Sequence, residues 1–170
     1  MKLLTISGST RSESANTKLL KVLPSLFPKH SFQHYPQINQ LPLFQADADK
    51  YPWHATIIAW RAAIAEADAV IISIPEYIYN MPALLKNALE WLTSSGELVQ
   101  KRVLAITFTP YKPRGAKAMQ SLLWSLQALD ANVVVSLPLY QNEIDFDTTG
   151  NFIENEAVEM MKEAIHILIN

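Results

Sequence analysis

Residues 75–91 read Pro-Glu-Tyr-Ile-Tyr-Asn-Met-Pro-Ala-Leu-Leu-Lys-Asn-Ala-Leu-Glu-Trp, and they hold side chains suited to gripping a flat ligand. Pro75 stiffens the exit of an apolar run (Val70, Ile71, Ile72, Ile74). Beyond it, the backbone of Glu76, Tyr77 and Ile78 can reach the polar edge of a planar ring, and Tyr77 or Tyr79 can stack on its face. Pro82 then opens a helix, where its missing N–H costs nothing because first-turn donors have no intrahelical partner. The competing reading is an aromatic surface turn packed on its own helix. Glu76 is a candidate acid–base group, although a lone loop carboxylate is more often solvated or structural.

A second group lies in Ser7-Gly8-Ser9-Thr10-Arg11-Ser12-Glu13-Ser14-Ala15-Asn16-Thr17. Gly8 permits a sharp exit from a strand, and a helix starts near Ser14–Asn16. Helix N-terminal N–H groups and the macrodipole attract an anion, short hydroxyl side chains add donors, and Arg11 supplies a charge that suits phosphate. The loop is neither a Walker sequence nor Gly-x-Gly-x-x-Gly, so a terminal monophosphate fits better than a pyrophosphate. Alternatively, Ser14 or Asn16 is an N-cap and the rest is a polar turn. A third loop, Thr107–Lys117, carries Thr109, Lys112, Arg114, Gly115 and Lys117. Its cations can meet the phosphates of a nicotinamide dinucleotide or form a solvated basic turn.

Other chemistries are excluded. The 170-residue chain has no cysteine, which removes disulfides, thiolate nucleophiles, iron–sulfur ligation and Cys-based zinc sites. His30, His34, His54 and His166 show no metal spacing, and neither a Ser/His/Asp order nor a Gly-x-Ser-x-Gly elbow is present. No catalytic side chain and no metal are expected. A net charge of −2 gives no footprint for nucleic acid or an anionic membrane. No apolar stretch approaches the ~20 residues of a membrane span. The first residues make too short an apolar run for a secretory signal, so a soluble, cytoplasmic protein is expected.

The elements that must position these loops are five short runs: Leu3–Ser7, Phe32–Ile38, Val70–Ile74, Val103–Phe108 and Val133–Leu137. The last three are β-branched and nearly continuous, as in strands covered on both faces; Pro36 suits the second to a sheet edge. Helical stripes alternate with them: Leu19, Leu20, Leu23 and Phe27; Trp53, Ile57, Trp60 and Ile64; Leu85, Leu89 and Leu92; Met119, Leu122, Leu123 and Leu126; Val158, Met161, Ile165 and Leu168. This alternation predicts one α/β domain over residues 1–170, a five-stranded parallel sheet in the order 2-1-3-4-5 with helices on both faces. A six-stranded dinucleotide fold would need a strand that the sequence lacks. In the five-strand order, strands one and three flank the switch point, so the first two loops face each other. Two long connections, Asn39–Pro52 and Gln141–Asn155, suit functional or subunit-contact roles.

With these residues in view, the chain resembles the NADPH-dependent FMN reductase family, the flavodoxin-like group of quinone, azo-dye and chromate reductases. Gly8-Ser9-Thr10-Arg11 with Ser14-Ala15-Asn16 is similar to the family's phosphate loop, and Leu41-Pro42-Leu43-Phe44 to its connection after strand two. Ala67-Asp68-Ala69, Pro75-Glu76-Tyr77, Pro82 and Leu85-Lys86-Asn87-Ala88 resemble its central signature. The resemblance implies a flavodoxin-like fold with noncovalent FMN, its phosphate near Ser9, Arg11, Ser14, Asn16 and Thr17. It puts the ring against Pro75, Glu76, Tyr77, Ile78, Thr109, Arg114 and Gly115. NADPH or NADH is implied as hydride donor, a small molecule as acceptor, and a homodimer or homotetramer as the assembly. Three departures stand out: Ile78 for the usual Asn, Ala83 for Gly, and Pro113-Arg114 for paired glycines. They leave a second reading, a noncatalytic FMN-binding or regulatory module with a closed donor site. A transferase on the same sheet would bind no flavin.

Overall fold

The computed structural model describes residues 1–170 apart from Ser12, in the first loop, and Gln37, in the second apolar run. Among the described residues, five parallel strands form one sheet in the order β2-β1-β3-β4-β5. They are β1 (Lys2–Ser7), β2 (Ser31–Tyr35), β3 (Ala69–Ile74), β4 (Arg102–Thr109) and β5 (Asn132–Tyr140). Between and after them run α1 (Ala15–Leu26), α2 (Ala55–Ala65), α3 (Ala83–Glu90), α4 (Ala116–Ala128) and α5 (Glu156–Ile169).

Side-chain alternation along the strands divides the core. Leu4, Ile6, Val70, Ile72 and Val103 face α2, α3 and α4, whereas Leu3, Ile71, Leu104, Ile106 and Phe108 face α1 and α5. β3 is buried throughout because both its faces are covered, so its β-branched sequence has no polar alternate. Trp60 fills the first core, and its indole N–H reaches the Ala88 carbonyl at 2.8 Å.

Several boundaries differ from the sequence expectation. The second run stops at Tyr35, before Pro36, and Ile38 enters a 3₁₀ turn. β5 continues past Leu137 through Pro138 to Tyr140, which an edge strand with one unpaired side tolerates. Trp53 lies outside its helix, because the His54 ring accepts from the Thr56 N–H and caps α2. Pro82 is the N-cap of α3 rather than its first helical residue.

The Asn39–Pro52 connection is held structurally. The Pro42 carbonyl accepts from Asn87 Nδ2 (3.0 Å) and Trp91 Nε1 (2.8 Å), while Asn87 Oδ1 accepts from the Phe44 N–H (2.7 Å). Asn87 and the Leu41–Phe44 segment therefore serve each other. The loops after β1, β3 and β4 meet at the carboxyl edge of the sheet. There the Gly8 N–H continues the β1–β3 pairing to the Ser73 carbonyl (2.8 Å). A Cβ on Gly8 would stand 2.8 Å from Ile74 Cγ2, so the close approach of these strand ends requires glycine.

Candidate cofactor site

A cleft of ~450 Å³ opens at the switch point between β1 and β3, lined by all three loops. It brings together Ser9, Arg11, Ser14, Asn16, Pro75, Glu76, Tyr77, Thr109 and Arg114, nine of the twelve residues expected from sequence.

The floor of the first loop is a hydroxyl chain. Ser14 caps α1 by accepting from the Thr17 N–H (3.0 Å), and its Oγ donates to Thr17 Oγ1 (2.8 Å). Thr17 Oγ1 in turn donates to Ser7 Oγ at 3.0 Å. Asn16 is engaged through its side chain: Nδ2 donates to the Phe108 carbonyl (3.1 Å) and Oδ1 accepts from Ser73 Oγ (2.7 Å). It ties α1 to β3 and β4. What the cleft does receive is the open end of a twelve-residue helix. The Ala15 and Asn16 N–H groups find no acceptor among the described residues, and Arg11 and Lys18 border the same space. Those donors and cations fit a phosphate.

Glu76 has a structural task. Gly115, the N-cap of α4, offers no side chain, and Glu76 Oε2 accepts from the Lys117 and Ala118 N–H groups instead (both 3.2 Å). The β3 loop is thereby fastened to α4, which fixes Pro75 and Tyr77 opposite Thr109 and Pro110.

Three expected residues do not line the cleft. Thr17 faces the other side of the first loop, a cavity of ~390 Å³ bordered by Lys21 and His34. Burial, followed by the nearby Lys21 charge, pushes the His34 pKa down. Gly115 sits beneath the loop with φ 103°, where a Cβ would lie 3.0 Å from Thr107 Oγ1. Ile78 points to solvent with 98 % of its surface exposed.

The reason for Ile78's placement is a two-residue turn. Tyr77 and Asn80 exchange both backbone hydrogen bonds at 3.0 Å, and Ile78 (φ 49°) and Tyr79 (φ 55°) occupy the centre. Both central residues are left-handed, a conformation that asparagine tolerates and a β-branched residue resists. Ile78→Asn is expected to stabilise the protein by about 1 kcal/mol, raising the melting temperature without weakening FMN. A fall in FMN affinity would place the Ile78 side chain on the ring.

Glu13, Ala15, Lys18, Pro110 and Gln141 also line the cleft and were not singled out from sequence. Lys18 lies on α1 just past its first turn, and a helix-phase reading from Ser14 would have found it. Gln141 follows the unforeseen extension of β5.

The fold and cleft define a flavodoxin-like mononucleotide-binding protein. Residues 1–143 match the model of the NADPH-dependent FMN reductase family. The quinone reductase of Escherichia coli (strain K12) is 32% identical over 168 residues, covering 94% of this chain and 88% of its own length. The 2-hydroxy-1,4-benzoquinone reductase of a Burkholderia species is 32% identical over 163 residues, covering 92% and 88%. In fold, FerB, a flavoenzyme NAD(P)H:(acceptor) oxidoreductase from Paracoccus denitrificans, is similar with a TM-score of 0.79 at 21% identity, covering 98% of this chain and 94% of its own. The chain belongs to the NADPH-dependent FMN reductase family. It is an NAD(P)H-dependent oxidoreductase with FMN as its cofactor.

Proposed function

We propose that the protein is a two-electron reductase of quinone-type small molecules, and that residues 1–170 form a single FMN-binding domain. The cleft carries this reading: a helix end whose first N–H groups have no acceptor among the described residues, Arg11 and Lys18 at one side, and a proline- and aromatic-walled slot at the other. FMN held there would supply the redox chemistry, the transfer of a hydride's two electrons from the nicotinamide to the acceptor.

The chain's own residues bind and orient. Arg11, Lys18 and the first turn of α1 hold the phosphate. Pro75, Tyr77 and Pro110 limit the slot to a flat group, and the Glu76 clamp on α4 keeps its walls at fixed separation. No side chain is assigned a proton-transfer or nucleophilic role.

The assembly we assign is a homodimer or a pair of dimers. Trp124, 63 % exposed on α4, supports this, with shallow apolar grooves along both its sides that involve Leu89, Leu123 and Leu129. No helix among the described residues is long and apolar enough to cross a membrane. A cytoplasmic location is proposed because the donor nucleotide belongs to the intracellular pool.

The test is anaerobic mixing of the FMN-loaded protein with NADH or NADPH. The expected result is bleaching of the flavin absorbance, restored stoichiometrically by a quinone. Persistent colour with both nucleotides would favour the noncatalytic module, in which Pro113-Arg114 closes the donor's approach.

A further inference from the structure

Beside the cofactor cleft lies a space of ~600 Å³ that shares Glu76 and Arg114 with it and is otherwise walled mainly by Tyr79, Tyr111, Pro113 and Lys117. Its aromatic surface is not part of the core: Tyr79 is 79 % exposed and Tyr111 53 % exposed. Tyr79 is held there in the left-handed conformation (φ 55°), an unfavourable arrangement of the kind that gathers at ligand sites.

The charge on these walls is positive. The Arg114 guanidinium lies 5.8 Å from the Tyr111 ring centroid, and Lys117 adds a second cation. Glu76, the acid on this wall, has an oxygen engaged by the α4 N–H groups. Lys112, a further cation of the loop, turns away: it lies 3.6 Å from Glu143 and 5.2 Å from the Tyr140 ring centroid.

Building on the reductase reading above, we propose that this space is a subsite for acceptors whose quinone ring carries an anionic substituent, such as an ionised hydroxyl, carboxylate or sulfonate. The ring is received between Tyr79 and Tyr111, and the anion pairs with Arg114 and Lys117. Adenine and phosphate of the donor offer related chemistry. The acceptor is favoured because Arg114 borders both spaces, so a ring held between the tyrosines stands beside the cofactor cleft with its anionic substituent within reach of that charge. The donor's first phosphate lies beyond a ribose. The net step is balanced by the established donor: NAD(P)H loses the hydride at its nicotinamide C4, solvent supplies one proton, and the two quinone C=O groups become C–OH.

The test compares naphthoquinone sulfonate with the parent naphthoquinone. For the FMN-loaded protein at low salt, kcat/KM should favour the sulfonate by about tenfold, the size of one charge-assisted contact. Raising the salt should narrow this preference. Lys117→Gln should reduce it several-fold, Lys117→Gln with Arg114→Gln should abolish it, and Lys117→Arg should retain it. Calorimetric binding of the sulfonate without donor should weaken in parallel. Equal preference in all variants would overturn the proposal, as would variants that raise only the KM for NADPH. If neither quinone is reduced, the reductase reading fails instead, and the calorimetric comparison, which needs no turnover, still decides the subsite.

Discussion

Replacing Asp49 with alanine is expected to destabilise the fold by about 3–5 kcal/mol, because it strands a buried guanidinium. Arg61 is almost fully buried on α2 and lies 2.7 Å from Asp49, with both side chains nearly closed to solvent. It also donates to the Trp91 carbonyl through Nε (3.0 Å) and Nη2 (2.7 Å). Asp49 accepts in addition from Ser94 Oγ and from Trp53 Nε1 (3.2 Å). This cluster fastens the long connection after β2 to α2 and to the end of α3. With the carboxylate gone, Arg61 remains desolvated with the Trp91 carbonyl, a long contact to Ser94 Oγ (3.4 Å) and the Trp53 face against it, none of them charged. Thermal or denaturant unfolding gives the magnitude; a loss below 1 kcal/mol would mean that water reaches the guanidinium.

The same cluster sets a pH dependence. Burial raises the Asp49 pKa, but hydrogen bonds from Ser94, Arg61 and Trp53 and the Arg61 charge outweigh it and hold the carboxyl below its ordinary value. A depressed folded-state pKa contributes stability that is present above the unfolded carboxylate pKa and is lost as pH falls through the folded one. The stability gap between the native protein and Asp49→Asn should therefore be largest near neutrality and shrink in acid. A constant gap would show that the charge contributes nothing.

The second large effect is expected at the cofactor. Arg11→Ala removes a charged contact from the anion end of the cleft and should weaken FMN by between about tenfold and a hundredfold, the range for a hydrogen bond to a charged group. Riboflavin, which lacks the phosphate, should lose little. Fluorescence titration with both ligands reads the difference directly. Equal weakening would show that Arg11 supports the loop rather than the phosphate.

Sequence and structure agree where local pattern and tertiary burial impose the same demand. Val70–Ile74 is apolar at every position because helices cover both faces of β3, and the strand is where its composition predicts. Pro138 breaks that logic: it reads as an end, yet β5 is an edge strand with a free side and runs on to Tyr140. His54 likewise gives no ordinary capping signal, and α2 starts later than the Trp53 spacing implies.

At the candidate site, the sequence points to the loops that meet at the cleft but not to the facing of each side chain. Ser14, Asn16 and Thr17 read alike as donors for phosphate, but Ser14 bonds Thr17, and the partners of Thr17 and Asn16 are Ser7, Ser73 and Phe108, on three different strands. Whether a hydroxyl meets a ligand or a neighbour depends on contacts that spacing does not encode. The left-handed pair Ile78–Tyr79 had no glycine to announce it, because the constraint comes from the Tyr77–Asn80 closure. Glu76 is the reverse case. Its structural task follows from Gly115, whose missing side chain leaves the first turn of α4 to be capped from another loop.

The most direct measurement is an amide NMR titration of the flavin-free protein with FMN. One saturable equivalent per chain should shift the Ser9–Lys18 amides together with those of Glu76, Tyr77, Thr109 and Arg114, while α5 stays unmoved. Shifts confined to the Lys21–His34 cavity or to the Trp124 face, or no saturation at all, would contradict a single cofactor held between the loops after β1, β3 and β4.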